Sequence, residues 1–388
     1  MKLTRLIIAG ILLVATILPL ASCGSSLELE ETAETVTTEE VVETTPVVPV
    51  PTVKRYPIKE LEGKLALIGE RTGFAQNGLL PLEWVGSGFV LTVNAPEEGT
   101  EVKMNTRFNY ESTLLVYVDG ELYGDPITLG NGNKETVIAN LTAGVHTVKV
   151  LKDTQQGTNR NNYNNIVALS FNGEVLESDQ TKKDLYLEFI GDGYLTGFGS
   201  MGNTAGSAEI SKECSFTVAL PNLVSQAMDA DYSVVAHSQI GLIATSGGFT
   251  LPTLYNNHNG YRDLEYFYTP TRVPDAIIIH AGNDDSTTKL ILADFITQGE
   301  AFIQQIRSYY GEAGKDIPVI WTYGTVYYTR RSSEIQAIAL RNDNVYALQL
   351  EYGQNGSGGK ETVRYPNAAD HQKSADILVP YLKNLLGK

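Results

Sequence analysis

The stretch that most constrains the fold is Leu185–Gly199, LYLEFIGDGYLTGFG. From Leu185 to Ile190 the residues are apolar but for Glu188, and the chain then breaks at Gly191-Asp192-Gly193. An apolar run of strand length closed by a glycine-rich turn reads as a central parallel strand, buried on both faces. At the carboxyl end of such a strand α/β enzymes hold an anion or present a nucleophile. The second half of the chain keeps the same rhythm. Strands are predicted at Leu185–Ile190, Tyr232–Ala236, Ala276–His280, Val319–Thr322 and Val345–Leu350. Helical periodicity runs through Ala293–Tyr310, Ser332–Leu340 and Ala369–Leu386, the last with a kink expected at Pro380. Residues 181–388 therefore read as a five-stranded parallel sheet with helices on both faces, in flavodoxin-like order, its site at the carboxyl ends of the strands.

The preceding segment has another period. Short apolar or alternating runs recur at Phe89–Val93, Glu101–Phe108, Thr113–Val118, Thr136–Ala139, His146–Leu151 and Ile166–Phe171. Turn signals such as Asp119-Gly120, Gly130-Asn131-Gly132, Ala143-Gly144 and Asn172-Gly173 separate them. Residues 57–178 are expected to form a β-sandwich of jelly-roll type.

The N-terminus is neither domain. Lys2 and Arg5 precede the apolar run Leu6–Leu18, and Leu20-Ala21-Ser22-Cys23 follows. Residues 1–22 read as a secretory signal, too short for a membrane span. The ending resembles a bacterial lipobox, which would leave Cys23 lipidated and the protein anchored on the extracellular face of a membrane. Residues 23–56 are mostly Glu, Thr, Val and Pro, a composition that reads as a disordered tether. Cys214 is the second of only two cysteines, so no internal disulfide is expected. A net charge of −16 argues against nucleic acid as a partner. Neither a metal-ligand constellation nor a phosphate loop stands out, and no metal or cofactor is expected.

Four blocks carry a resemblance. Glu188–Gly199, EFIGDGYLTGFG, resembles the first conserved block of the SGNH (GDSL-like) hydrolases, and more narrowly that of carbohydrate esterase family 2. His237-Ser238-Gln239-Ile240-Gly241 is similar to the family's second block, with Gln239 at its first glycine and Gly241 at its second. Gly282-Asn283-Asp284 is similar to the third, and Tyr365-Pro366-Asn367-Ala368-Ala369-Asp370-His371-Gln372-Lys373-Ser374-Ala375 to the last. Phrases of the first domain match too, among them Gly69-Glu70-Arg71-Thr72 and Trp84-Val85-Gly86-Ser87-Gly88-Phe89. The resemblance covers roughly residues 60–388.

The resemblance implies a serine nucleophile, a histidine base and an oxyanion hole. The nucleophile position reads Gly193 and the base position reads Tyr365. A phenol of pKa about 10 is no ready base at neutral pH. No catalytic residue is intact in this reading, and Asp192, Gln239, Gly241 and Asn283 remain as cleft or oxyanion positions. The chain is expected to be a monomeric surface lipoprotein that resembles an acetylxylan-type esterase, lacks catalysis, and binds a polysaccharide or acetylated glycan. Two alternatives stand beside this. One is an active esterase in which Ser200 or Ser238 meets His237 or His371. The other is a structural or protein-binding module, with Gly247–Tyr268 and its Tyr255, Tyr261, Tyr266 and Tyr268 as a surface patch.

Overall fold

Alternation along Thr100–Phe108 shows how the sandwich forms. Thr100, Val102, Met104, Thr106 and Phe108 are buried, while Glu101 and Arg107 face solvent. One sheet orders its strands as Lys54–Pro57, Asn164–Phe171, Thr100–Phe108 and Gly132–Leu141, with Leu80–Pro81 pairing the second of these. The other runs Glu174–Leu176, Gly88–Ala95, Gly144–Lys152, Ser112–Val118 and Glu121–Leu122, with Ala66–Ile68 and Ile127–Leu129 at its sides. Phe89, Leu91, Val102, Met104, Val148, Val150, Leu169 and Phe171 fill the space between them. Each such side chain contributes about 1.5–3 kcal/mol of burial.

This computed structural model describes residues 52–155, 162–203, 210–243, 249–257, 267–287, 292–327, 330–357 and 364–388. Pro51–Lys388 forms one compact unit. The signal, Cys23 and most of the expected tether lie outside the described residues. The tether's end is corrected: Lys54–Pro57 is a strand, paired antiparallel with Asn164–Phe171. Tyr56 is the reason, since its ring stacks on Phe171 at 4.9 Å and its hydroxyl donates to the Gly173 carbonyl at 2.8 Å.

The second half carries five parallel strands: β1 (Leu185–Gly191), β2 (Ala230–Ala236), β3 (Ala276–His280), β4 (Val319–Tyr323) and β5 (Val345–Gln349). Their order is β2-β1-β3-β4-β5, as expected for a flavodoxin-like sheet. Ile190, Val235, Ile277, Ile279 and Trp321 face helices α1 (Leu292–Tyr309) and α2 (Ser332–Arg341). Leu187, Phe189, Val234, Ile278 and Ile320 face Leu220–Ala227 and α3 (Ala368–Leu386) on the other side. Both faces are therefore apolar, as the continuous runs in the sequence require. The last helix runs through Pro380 to Leu386 and is opened by a reciprocal cap. Asp370 N donates to Asn367 Oδ1 at 3.0 Å, and Asn367 N to Asp370 Oδ2 at 3.2 Å.

One exception to apolar burial ties the sandwich to the sheet. Glu188, fully buried on β1, takes Arg71 Nη2 of the sandwich at 3.1 Å. Its other oxygen accepts from the hydroxyls of Tyr255 (2.9 Å) and Tyr310 (2.8 Å). Arg71 also donates to the Tyr255 carbonyl at 2.7 Å and lies over the rings of Tyr255 and Tyr268. Two tyrosines of the expected surface patch, Tyr255 and Tyr268, are thus core residues, because a buried guanidinium needs aromatic faces and carbonyls around it. Tyr261 and Tyr266 lie outside the described residues.

Candidate functional site

The strand β1 delivers Asp192 and Gly193 to the carboxyl edge of the sheet, between the ends of β2 and β3. Asp192 N donates to the His280 carbonyl at 3.0 Å. Its carboxylate accepts from Tyr194 N at 3.1 Å and from Asn283 Nδ2 at 2.9 Å. The first contact caps the turn that follows the strand, the role expected of a short carboxylate there. Burial, and then the nearby Asp284 charge, pushes the Asp192 carboxyl well above the usual range.

Gly193 is closed in. A β carbon there would lie 2.9 Å from Ser238 Cβ, 3.1 Å from Ser238 Cα and 3.3 Å from Phe198 Cβ. The Gly193 carbonyl accepts from Phe198 N at 3.0 Å and from the Thr196 hydroxyl at 2.9 Å, which winds the turn tightly. Its φ is not left-handed, so space rather than backbone conformation favours glycine.

Ser238 is held from the other domain. Gln155 Nε2 donates to Ser238 Oγ at 2.5 Å, and Gln155 Oε1 accepts from Ser238 N at 3.0 Å and from the Thr196 hydroxyl at 3.0 Å. His237 Nδ1 instead meets the carbonyl of Ser238 at 2.6 Å, so these neighbours form no dyad. Ser200 Oγ contacts the backbone of Ser215. His371 Nδ1 accepts from Leu220 N at 3.3 Å, and its ring stacks on Tyr194 at 4.3 Å. Among the described residues, neither serine considered as a substitute nucleophile hydrogen-bonds an imidazole through its hydroxyl.

The residues expected at an oxyanion hole have other occupations. Asn283 Nδ2 bonds Asp192 and lies 3.2 Å from His280 Nε2. Gln239 keeps the left-handed backbone, φ 66°, that a glycine would adopt freely, and its side chain is exposed. Gly241 gives its carbonyl to Leu251 N at 2.9 Å. Leu242 and Ile243, just beyond it, are pinned by Asp285, whose carboxylate accepts from Leu242 N at 2.7 Å and Ile243 N at 2.8 Å.

Tyr365 packs edge-on against Phe198 at 5.1 Å, in a small cluster with Cys214 and Val326 that Tyr327 joins. Burial first, then the Asp284 and Asp192 carboxylates, hold its phenol well above its ordinary value. It stays protonated at any physiological pH. Burial likewise pushes the Cys214 thiol up to about 12. Arg330 covers the Tyr327 ring at 3.3 Å and donates to the Asn283 carbonyl at 3.4 Å.

Two participants escaped the sequence reading. His280 stands in the sequence reading only as the last residue of a predicted strand, yet its Nε2 lies 3.2 Å from Asn283 Nδ2. The Thr322 hydroxyl donates to the Ile279 carbonyl at 3.0 Å, so it accepts from His280 Nδ1 at 2.9 Å. Nε2 then accepts from the Thr325 hydroxyl at 2.9 Å. Burial takes both His280 and His371 down to about 3. An imidazole that resists its proton is a poor general base, at about 1.4 kcal/mol for each pKa unit. Gln155, the other, comes from a polar loop of the sandwich with no local signal in the sequence.

No family model matches the chain. The cellulase/esterase CelE of Acetivibrio thermocellus is 25% identical over 321 residues, covering 78% of this chain and 37% of that protein. An acetylxylan esterase/glucomannan deacetylase of Cellvibrio japonicus is 25% identical over 237 residues, covering 53% of this chain and 63% of that one. The chain thus spans less than two thirds of the length of either curated relative. A solved family two carbohydrate esterase from Clostridium thermocellum, in complex with cellohexaose, superposes with a TM-score of 0.69 at 20% identity, covering 83% of this chain and 99% of that one. The similarity, in sequence blocks and in fold, is to carbohydrate esterase family 2. The likeness in fold takes in both parts, sandwich and parallel sheet. In the register of that resemblance, the nucleophile and base positions read Gly193 and Tyr365.

Proposed function

We propose that this chain is a carbohydrate esterase family 2 member that binds glycan through the framework of the esterase site and does not remove acetyl groups. The observation that carries the reading is the closure at Gly193. Ser238 crowds the space a β carbon at Gly193 would need, and the Tyr365 phenol, at the expected base position, is buried and held protonated. Ser238 and Ser200 offer no replacement, because their hydroxyls are engaged by Gln155 and by the Ser215 backbone. Removal of nucleophile or base from a serine hydrolase costs on the order of 10⁶-fold in turnover in subtilisin.

Binding is supported by the relatives, one named for acetylxylan and glucomannan and one solved with cellohexaose. Asn283, Asp284, Tyr327 and Arg330 are partly exposed at the sheet's edge and could supply the polar anchors and ring face a sugar needs. The chain would act as a monomer on the extracellular face, tethered through Cys23. The test is calorimetric titration of the mature protein with cello-, xylo- and gluco-manno-oligosaccharides. Saturable binding weakened by Asn283→Ala supports the reading, and no binding to any of them overturns it.

A further inference from the structure

We propose a second saccharide site, on the outer face of the sandwich's five-stranded sheet, that takes an acidic glycan segment bearing carboxylates. A groove of about 460 Å³ lies there, lined by Arg55, Asn105, Arg107, Asn133, Lys134 and Glu135 over a floor of Leu79 and Val167. Its shape comes from the register. The pairing of Asn164–Phe171 with Thr100–Phe108 slips between Ile166 and Ala168, so Val167 is the extra residue of a bulge. Bulges re-aim side chains, and this one places an apolar contact among polar neighbours.

The charges name the ligand. Arg55, Arg107 and Lys134 bring three cations to the groove against the single carboxylate of Glu135. Asn105 Nδ2 already donates to that carboxylate at 3.1 Å. None of the three cations has an ion-pair partner among the described residues, whereas Lys103, one row away on the same strand, is paired with Glu101. Such a basic groove is out of keeping with a chain of net charge −16. Arginines present planar donor forks that match carboxylates, and the amides of Asn105 and Asn133 suit sugar hydroxyls. The volume is that of a short oligosaccharide site. The site lies on the sandwich and does not depend on the glycan reading of the parallel-sheet site.

The experiment titrates the full mature protein with trigalacturonate, with xylotriose and with a sulfated xylotriose, at low and at physiological salt. Trigalacturonate should bind, weaken with added salt, and lose at least tenfold in affinity in the Arg55→Gln/Arg107→Gln double variant. Both side chains are exposed, so the variant should keep the wild-type melting temperature; Lys134→Gln alone should give a smaller loss. Asn283→Ala should leave trigalacturonate affinity unchanged, which separates this groove from the site at the sheet's edge. Equal affinity for xylotriose, an affinity unmoved by the double variant, or binding of the sulfated sugar alone would each overturn the proposal.

Discussion

Gln155 and Ser238 hold each other by two hydrogen bonds, side chain to hydroxyl at 2.5 Å and backbone amide to side-chain carbonyl at 3.0 Å. Both residues are buried, and one comes from each half of the fold. This clamp keeps Ser238 against Gly193, and it is the packing on which the proposed loss of catalysis rests.

Gly193→Ser should therefore fail to restore hydrolysis, alone or together with Tyr365→His. The added β carbon meets Ser238 Cβ at 2.9 Å, with backbone directly behind it. Overpacking of this kind costs about 1–3 kcal/mol. Urea denaturation of the variant should show a lower midpoint with an unchanged slope, and an unshifted midpoint would refute the closure.

Arg71 is the sandwich's ionic tie to β1. Arg71→Met leaves Glu188 buried beside tyrosine hydroxyls without its cation, a change worth about 3–5 kcal/mol. Arg71→Met combined with Glu188→Gln should recover part of that loss. The double-mutant cycle, read by thermal or urea unfolding, should give a clear coupling energy; additive losses would contradict the pairing.

Lys152 makes stability depend on pH. Burial takes its ammonium from 10.5 down to about 7, although Nζ still donates to the Glu83 carbonyl at 2.9 Å. Between these values the unfolded chain keeps a proton that the folded chain has released. Stability should then rise with pH from about 7 to about 10.5, and the full penalty applies below 7. Lys152→Met should be more stable than wild type near pH 6, by a few kcal/mol. The difference between variant and wild type should shrink as pH rises through that window; a constant difference would show that Lys152 does not titrate there.

Gln239 occupies a left-handed backbone position at a cost of about 1–2 kcal/mol that glycine would not bear. Gln239→Gly should stabilise the protein by up to about 1 kcal/mol, since glycine also loses more chain entropy on folding. A lower melting temperature in this variant would mean that the exposed side chain makes contacts that outweigh the strain.

Most of the parallel sheet was legible because each strand is a run of residues apolar on both faces, as in Ala276–His280 with all five residues buried. The long sandwich strands showed through alternation. The short ones, such as Ala66–Ile68 and Glu121–Leu122, are too brief to carry a period, and Lys54–Pro57 was hidden at the end of an acidic, proline-rich run. At the site, Gly193, Tyr365, Asp192 and Asn283 were found because they sit inside recognisable blocks. The bonds that decide their chemistry are long-range. Gln155 reaches Ser238 across 83 positions and Thr322 reaches His280 across 42, and no local pattern encodes either.

The most direct measurement is the rate of acetate release from an aryl acetate and from acetylated xylan by the purified mature protein, beside its Ser238→Ala and Ser200→Ala variants. Rates equal to the buffer blank in all three are predicted. Saturable turnover by the wild type that Ser238→Ala or Ser200→Ala abolishes would contradict a catalytically silent site.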